Sequence, residues 1–113
     1  SLGGVNPRLH HGTLNAMFLP AVVRFNAQAE SVQKERRLER MAHAIGLASS
    51  TDIPEAIRDM NARLGLPTGL AAMGVTPDVF DDVIKGAMAD HCHKTNPRVA
   101  TPEQYREMLH QSL

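Results

Sequence analysis

Thr13-Leu14-Asn15-Ala16-Met17-Phe18-Leu19-Pro20-Ala21-Val22-Val23-Arg24-Phe25-Asn26 decides the fold class. Its apolar residues Leu14, Met17, Phe18, Ala21, Val22 and Phe25 recur at spacings of three and four, the period of one helical face rather than the alternation of a strand. Pro20 falls inside this stripe. It has no backbone N–H to give to Ala16, so the pattern predicts a helix from Thr13 to about Asn26 with a kink or short break at Pro20.

The rest of the chain repeats the theme. Ser31 to Leu47 places Val32, Leu38, Met41, Ala42 and Ile45 opposite a charged run from Lys34 to Arg40, and reads as one amphipathic helix closed by Gly46. Thr51-Asp52-Ile53-Pro54-Glu55 combines a cap, an early proline and a first-turn acid, and Ile57, Met60 and Leu64 carry that helix to Gly65. Leu70 to Met73 allows at most a short helix. Val75-Thr76-Pro77 opens a helix whose buried face is Phe80, Val83, Ile84, Ala87 and Met88, and Thr101-Pro102-Glu103 caps a last one bearing Tyr105, Met108 and Leu109. Asp90 to Val99 reads as a loop. No stretch alternates with period two, so the expected architecture is a single all-α domain over 1–113, a bundle of about five helices.

Composition narrows the function. The 113 residues suffice for one core. Twelve basic residues balance twelve acidic ones, which removes the cationic field that nucleic acid and anionic membranes require. No apolar stretch spans a bilayer, and the single Cys92 forms no internal disulfide, so a cytoplasmic setting is expected. The six methionines fall on apolar stripes and are expected in the core. Ser1-Leu2-Gly3-Gly4 opens without methionine, which reads as a fragment or a cloning remnant.

Histidine is the residue type that carries chemistry here. Four of six fall in two clusters, His10-His11 and His91-Cys92-His93. Adjacent histidines point in different directions, so only one of the first pair could serve a given metal. The second cluster lacks a further ligand pair at a zinc-finger interval, which argues against a structural zinc site. Cys92 is a nucleophile only if a base reaches it, and the sequence names none. His43 and His110 carry no catalytic reading.

A resemblance adds to this. Ser1-Leu2-Gly3-Gly4, His10-His11-Gly12-Thr13-Leu14-Asn15-Ala16, Leu19-Pro20 and Arg24-Phe25-Asn26 resemble the second metal-ligand region of iron-containing (group III) alcohol dehydrogenases. Leu64 to Thr68, Leu70 to Gly74 and Asp90-x-Cys92-x-x-x-Asn96-Pro97-Arg98 resemble that family's closing segments, so the likeness covers nearly the whole chain and is weakest between Ala27 and Ile57. It implies the C-terminal, metal-side helical domain of the dehydroquinate synthase-like fold, with His11 the last of four ligands to a divalent iron or zinc and the other three before Ser1. It also implies that Cys92 is a wall of the substrate pocket rather than a nucleophile.

The parent implied is an NAD(P)-dependent enzyme that interconverts an alcohol and an aldehyde or ketone, acts on a small molecule, and is at least a homodimer. No Gly-x-Gly-x-x-Gly cluster occurs among the eight glycines, so the nucleotide-binding domain is not encoded here and the isolated chain is expected to be inactive. Two readings stand beside it: a maleylacetate reductase or hydroxyacid-oxoacid transhydrogenase, and a free-standing helical interaction module using the charges from Lys34 to Arg40.

Overall fold

The computed structural model describes residues 2–113 and contains no strand among them. Ser1, the first residue of the Ser1–Gly4 segment, lies outside the described residues. The helices are α1 (Leu2–Val5), α2 (His11–Asn26), α3 (Glu30–Lys34), α4 (Arg37–Ala44), α5 (Ile53–Arg63), α6 (Phe80–Ala89), α7 (Cys92–Thr95) and α8 (Pro102–Gln111). Five of them, α2, α4, α5, α6 and α8, run eight residues or more and form the body. The other three are single turns. Short 3₁₀ turns at Ser50–Asp52, Ala71–Met73 and Pro77–Val79 lead into or between them.

Helix α2 runs through the middle and packs most extensively against α5, with α8 also alongside. The main core gathers Leu14 and Met17 of α2 with Leu2, Leu70, Val75, Phe80, Val83, Ile84 and Leu109. A second cluster joins Val23 to Ala42 and Ile53, which brings α4 and α5 to the far end of α2. The apolar stripe of α2 therefore meets neighbours along its whole length, which is why this segment forms the longest helix.

Of the kink or short break expected at Pro20, the break does not occur, for a reason visible in α5. The side chain of Asn61, only 7% exposed, donates from Nδ2 to the carbonyl oxygen of Ala16 at 2.9 Å. That carbonyl is the one to which Pro20 has no N–H to offer. The amide of α5 takes the place of the missing helical bond, and α2 continues unbroken to Asn26.

The single helix expected over Ser31 to Leu47 is two. Arg36 takes a left-handed backbone (φ 52°) between α3 and α4. Between Val32 and Leu38 no side chain can be buried, so nothing holds those residues to the core as helix, and Val32 and Ala42 are packed separately. Gly46 and Gly65 close α4 and α5 as expected, with φ of 78° and 74°. In both closures the following residue bonds back, Leu47 to Ala42 and Leu66 to Asn61.

Two further expectations need correction. Met41 and Met60 are 47% and 44% exposed and do not belong to the core, and Leu64 is 67% exposed at the end of its stripe. The segment from Asp90 to Val99 is not all loop, since Cys92–Thr95 makes one helical turn. The last helix starts as read: Thr101 and Gln104 form a reciprocal capping box.

The C-terminal residues close the bundle by lying on Gly69. Leu70 and Ala71 donate backbone N–H groups to the carbonyls of Ser112 and Leu113 at 2.8 and 3.3 Å. A Cβ on Gly69 would fall 2.2 Å from the Leu113 oxygen.

Two stability predictions follow from these contacts. Asn61→Ala is expected to cost about 1–3 kcal/mol in urea denaturation by leaving the Ala16 carbonyl unpaired, and to cost much less in a Pro20→Ala background, where residue 20 supplies its own N–H. Equal costs in both backgrounds would refute the repair. Gly69→Ala is expected to destabilise by about 1–3 kcal/mol, because backbone rather than a side-chain tip must move, and an unchanged midpoint would show that the tail does not dock there.

Candidate functional site

His11 is the first residue of α2, and its neighbour His10 is the cap: His10 Nδ1 accepts from the Thr13 backbone N–H at 3.4 Å. One histidine of the pair thus ends the helix and the other is free to face outward. His11 is exposed, and its Nε2 lies 3.2 Å from Nδ2 of Asn15, one turn on. A metal bound at Nε2 would take the ring lone pair that this contact engages and displace the Asn15 amide.

Among the described residues, His11 does not belong to any group of three converging ligand-type side chains. The one such group is Asp90, His91 and Cys92, all exposed. A metal on His11 therefore needs donors from outside these residues, and the single, outward-facing imidazole fits that requirement.

The second cluster divides in the same way. His93 is buried at 9% exposure, its Nδ1 2.8 Å from the Tyr105 hydroxyl, whereas His91 and Cys92 are exposed. Asp90 organises the turn: its carboxylate accepts from the Cys92 backbone N–H at 2.9 Å. That bond holds the Asp90 carboxyl below the ordinary carboxylate range. Hydrogen bonding to Asp90, then partial desolvation and the carboxylate charge, push the Cys92 thiol above its ordinary value. Burial, with the Asp90 charge behind it, raises the Tyr105 phenol in the same direction. The shift disfavours the thiolate that a nucleophile requires, although His91 Nε2 lies 3.5 Å from the sulfur.

Cys92, Asp90 and His93 line a cleft of about 230 Å³ whose other walls include Val22, Phe25, Tyr105 and Met108. The residues of α2 in this wall are eleven and fourteen positions beyond His11, on the order of 16–21 Å along a helix axis. His11 is not in the wall. The two residues singled out in the sequence thus sit towards opposite ends of α2.

What joins the Cys92 turn to α2 is a clasp between two of the segments that carry the family resemblance. Asn26 and Asn96 exchange hydrogen bonds, Asn96 Nδ2 to Asn26 Oδ1 at 2.7 Å and Asn26 Nδ2 to Asn96 Oδ1 at 3.2 Å. Arg98 donates to the Phe25 carbonyl at 3.2 Å, with its guanidinium carbon 4.2 Å from the centre of the Phe25 ring. The segments Arg24-Phe25-Asn26 and Asn96-Pro97-Arg98, seventy residues apart, are the two halves of one fastening.

Residues 2–113 match the family model for the Fe-containing alcohol dehydrogenase family, C-terminal. The chain belongs to this family. It is 57% identical over 105 residues to 4-hydroxybutyrate dehydrogenase of Cupriavidus necator, covering 93% of this chain and 28% of that protein. It is 38% identical over 106 residues to alcohol dehydrogenase 4 of Saccharomyces cerevisiae (strain ATCC 204508 / S288c), covering 91% and 27%. Lactaldehyde reductase of Escherichia coli (strain K12) is 31% identical over 105 residues, covering 88% and 27%. The chain thus spans little more than a quarter of the length of these relatives. No solved structure matches the chain significantly. Membership of the iron-containing dehydrogenase family agrees with the helical C-terminal domain read from the sequence, and no helix among the described residues is long and apolar enough to cross a membrane.

The thiol environment makes a pH prediction. Alkylation of Cys92 by iodoacetamide should reach its half-maximal rate above the pH usual for a free thiol. Asp90→Asn should lower that pH, because removing the carboxylate frees the thiolate from a neighbouring negative charge. A rate profile unmoved by Asp90→Asn would contradict the geometry.

Proposed function

We propose that the protein to which this chain belongs is an NAD(P)-dependent, metal-dependent alcohol dehydrogenase, and that His11 is one of the ligands of its divalent iron or zinc. The observation that carries this is His11 itself: an exposed imidazole on the first turn of α2, in a chain of this family. When bound, the metal acts as a Lewis acid on the substrate oxygen while the nicotinamide exchanges hydride with the substrate carbon.

The chain's own residues position and confine. The cap at His10 and the bond from Asn61 to Ala16 keep α2 rigid under His11, so the ligand nitrogen is presented from a fixed rod. Asn15 Nδ2, 3.2 Å from Nε2, steadies the His11 ring until a metal takes its place. Cys92 serves as a wall residue of the cleft beside α2, and Asp90 beside it disfavours the thiolate that an attacking group needs.

The substrate class follows the likeness to 4-hydroxybutyrate dehydrogenase. Similarity to 4-hydroxybutyrate dehydrogenase, at 57% against 38% and 31% for the two other relatives above, supports a short hydroxy acid oxidised at its terminal alcohol. Family resemblance supports a homodimer.

Two measurements on the full-length protein test this. His11→Ala is expected to lose the bound metal and to reduce turnover by more than about 100-fold, beyond the 10–100-fold typical of outer-shell partners. Retained metal stoichiometry and turnover would overturn the ligand assignment. Comparison of 4-hydroxybutyrate with 1-butanol under NAD should favour the hydroxy acid in kcat/KM, and a preference for butanol would overturn the substrate class.

A further inference from the structure

The turn at the start of α7 brings three different metal-ligand chemistries together from consecutive residues. Asp90 offers a carboxylate oxygen, His91 a ring nitrogen and Cys92 a sulfur, and these atoms lie within 4.8 Å of one another. The ring of His91 lies between the other two, Nε2 3.5 Å from Cys92 Sγ and Nδ1 3.5 Å from Asp90 Oδ1, so a shared ion takes one of these nitrogens and draws the third donor round to it. All three side chains are exposed, so a hydrated ion reaches them without opening the fold. His93, by contrast, is spent on Tyr105 inside the bundle and is not a donor here.

From these contacts we infer that Asp90, His91 and Cys92 form a second metal-binding site, for a borderline-soft divalent cation of the zinc, cobalt or cadmium class. The donor set decides the class. A thiolate with an imidazole selects zinc-like ions over magnesium or calcium, which take oxygen donors only. Three protein donors leave a fourth position to water, so the site is open and exchangeable rather than structural, in agreement with the absence of a four-ligand pattern in the sequence. Binding replaces the proton on sulfur: the thiol and the divalent ion give a metal thiolate and one released proton.

The site is independent of His11. It stands at the cleft end of α2, and Asp90 and Cys92 are also walls of the cleft. An ion held there therefore sits at the edge of that cavity, where it adds a positive charge to a mouth otherwise marked by one carboxylate.

Cobalt(II) titration of the full-length protein tests the inference, because thiolate ligation gives a near-ultraviolet charge-transfer band that imidazole and carboxylate do not. The expected result is a band that saturates at one equivalent, disappears in Cys92→Ser, weakens about tenfold or more in apparent affinity in both His91→Ala and Asp90→Asn, and persists in His11→Ala. Circular dichroism checks that these surface variants keep the fold. A wild-type protein without a band that depends on Cys92 would overturn the proposal, as would a band indifferent to His91 and Asp90, which is a thiol binding metal alone. Loss of the band in His11→Ala would overturn it too, by assigning the ion to the other centre.

Discussion

A single side-chain amide holds this domain's geometry together. Pro20 interrupts the hydrogen-bond ladder of the longest helix, and Asn61 from α5 fills the gap by donating to the Ala16 carbonyl. An unpaired buried carbonyl costs a helix more than an exposed one, so without the amide the low-energy course for α2 is to bend or open at Pro20. With it, sixteen residues stay one continuous helix, the rod of the domain. Every other feature is fixed relative to that rod: the core on one flank, α5 on another, His11 at its start and the Asn26–Asn96 clasp at its end.

The rod separates two regions that a linear reading runs together. At the start of α2 the chain presents one imidazole and little else, in keeping with a metal centre whose other donors lie elsewhere. At its end, the clasp of Asn26, Asn96, Arg98 and Phe25 anchors the Asp90–Thr95 turn, and with it the only thiol. The electrostatics differ accordingly. Asp90 raises the Cys92 thiol, and burial, with Asp90 behind it, raises Tyr105, so the carboxylate opposes the thiolate even though His91 Nε2 lies 3.5 Å from the sulfur.

Much of the fold was legible from residue spacing, and the exceptions share a cause. The stripe of α2, the cap at Thr101 and the closures at Gly46 and Gly65 are local patterns, and local patterns are what a sequence displays. The continuity through Pro20 depends on a residue forty-one positions away, and a polar Asn61 on a helix face gives no sign of the carbonyl it will meet. The split at Arg36 was hidden because charge amphipathicity persists across a backbone break. Met41 and Met60 obey the helical period yet face outward, since period says which residues share a face and not whether anything covers it. At the site, His11 stood out by motif, but the role of Asn96 and Arg98 as a fastening was invisible without the fold, because both partners of each contact were needed.

The metal centre that we propose sits at the start of α2, away from the thiol-bearing cleft. Anomalous diffraction from crystals of the full-length protein, as isolated and measured at the iron and zinc edges, tests it directly. The account predicts the strongest peak about 2.0–2.2 Å from His11 Nε2, with the cleft and Cys92 at the other end of the helix. A strongest peak ligated by both His11 and Cys92, or none beside His11 in active protein, would contradict it.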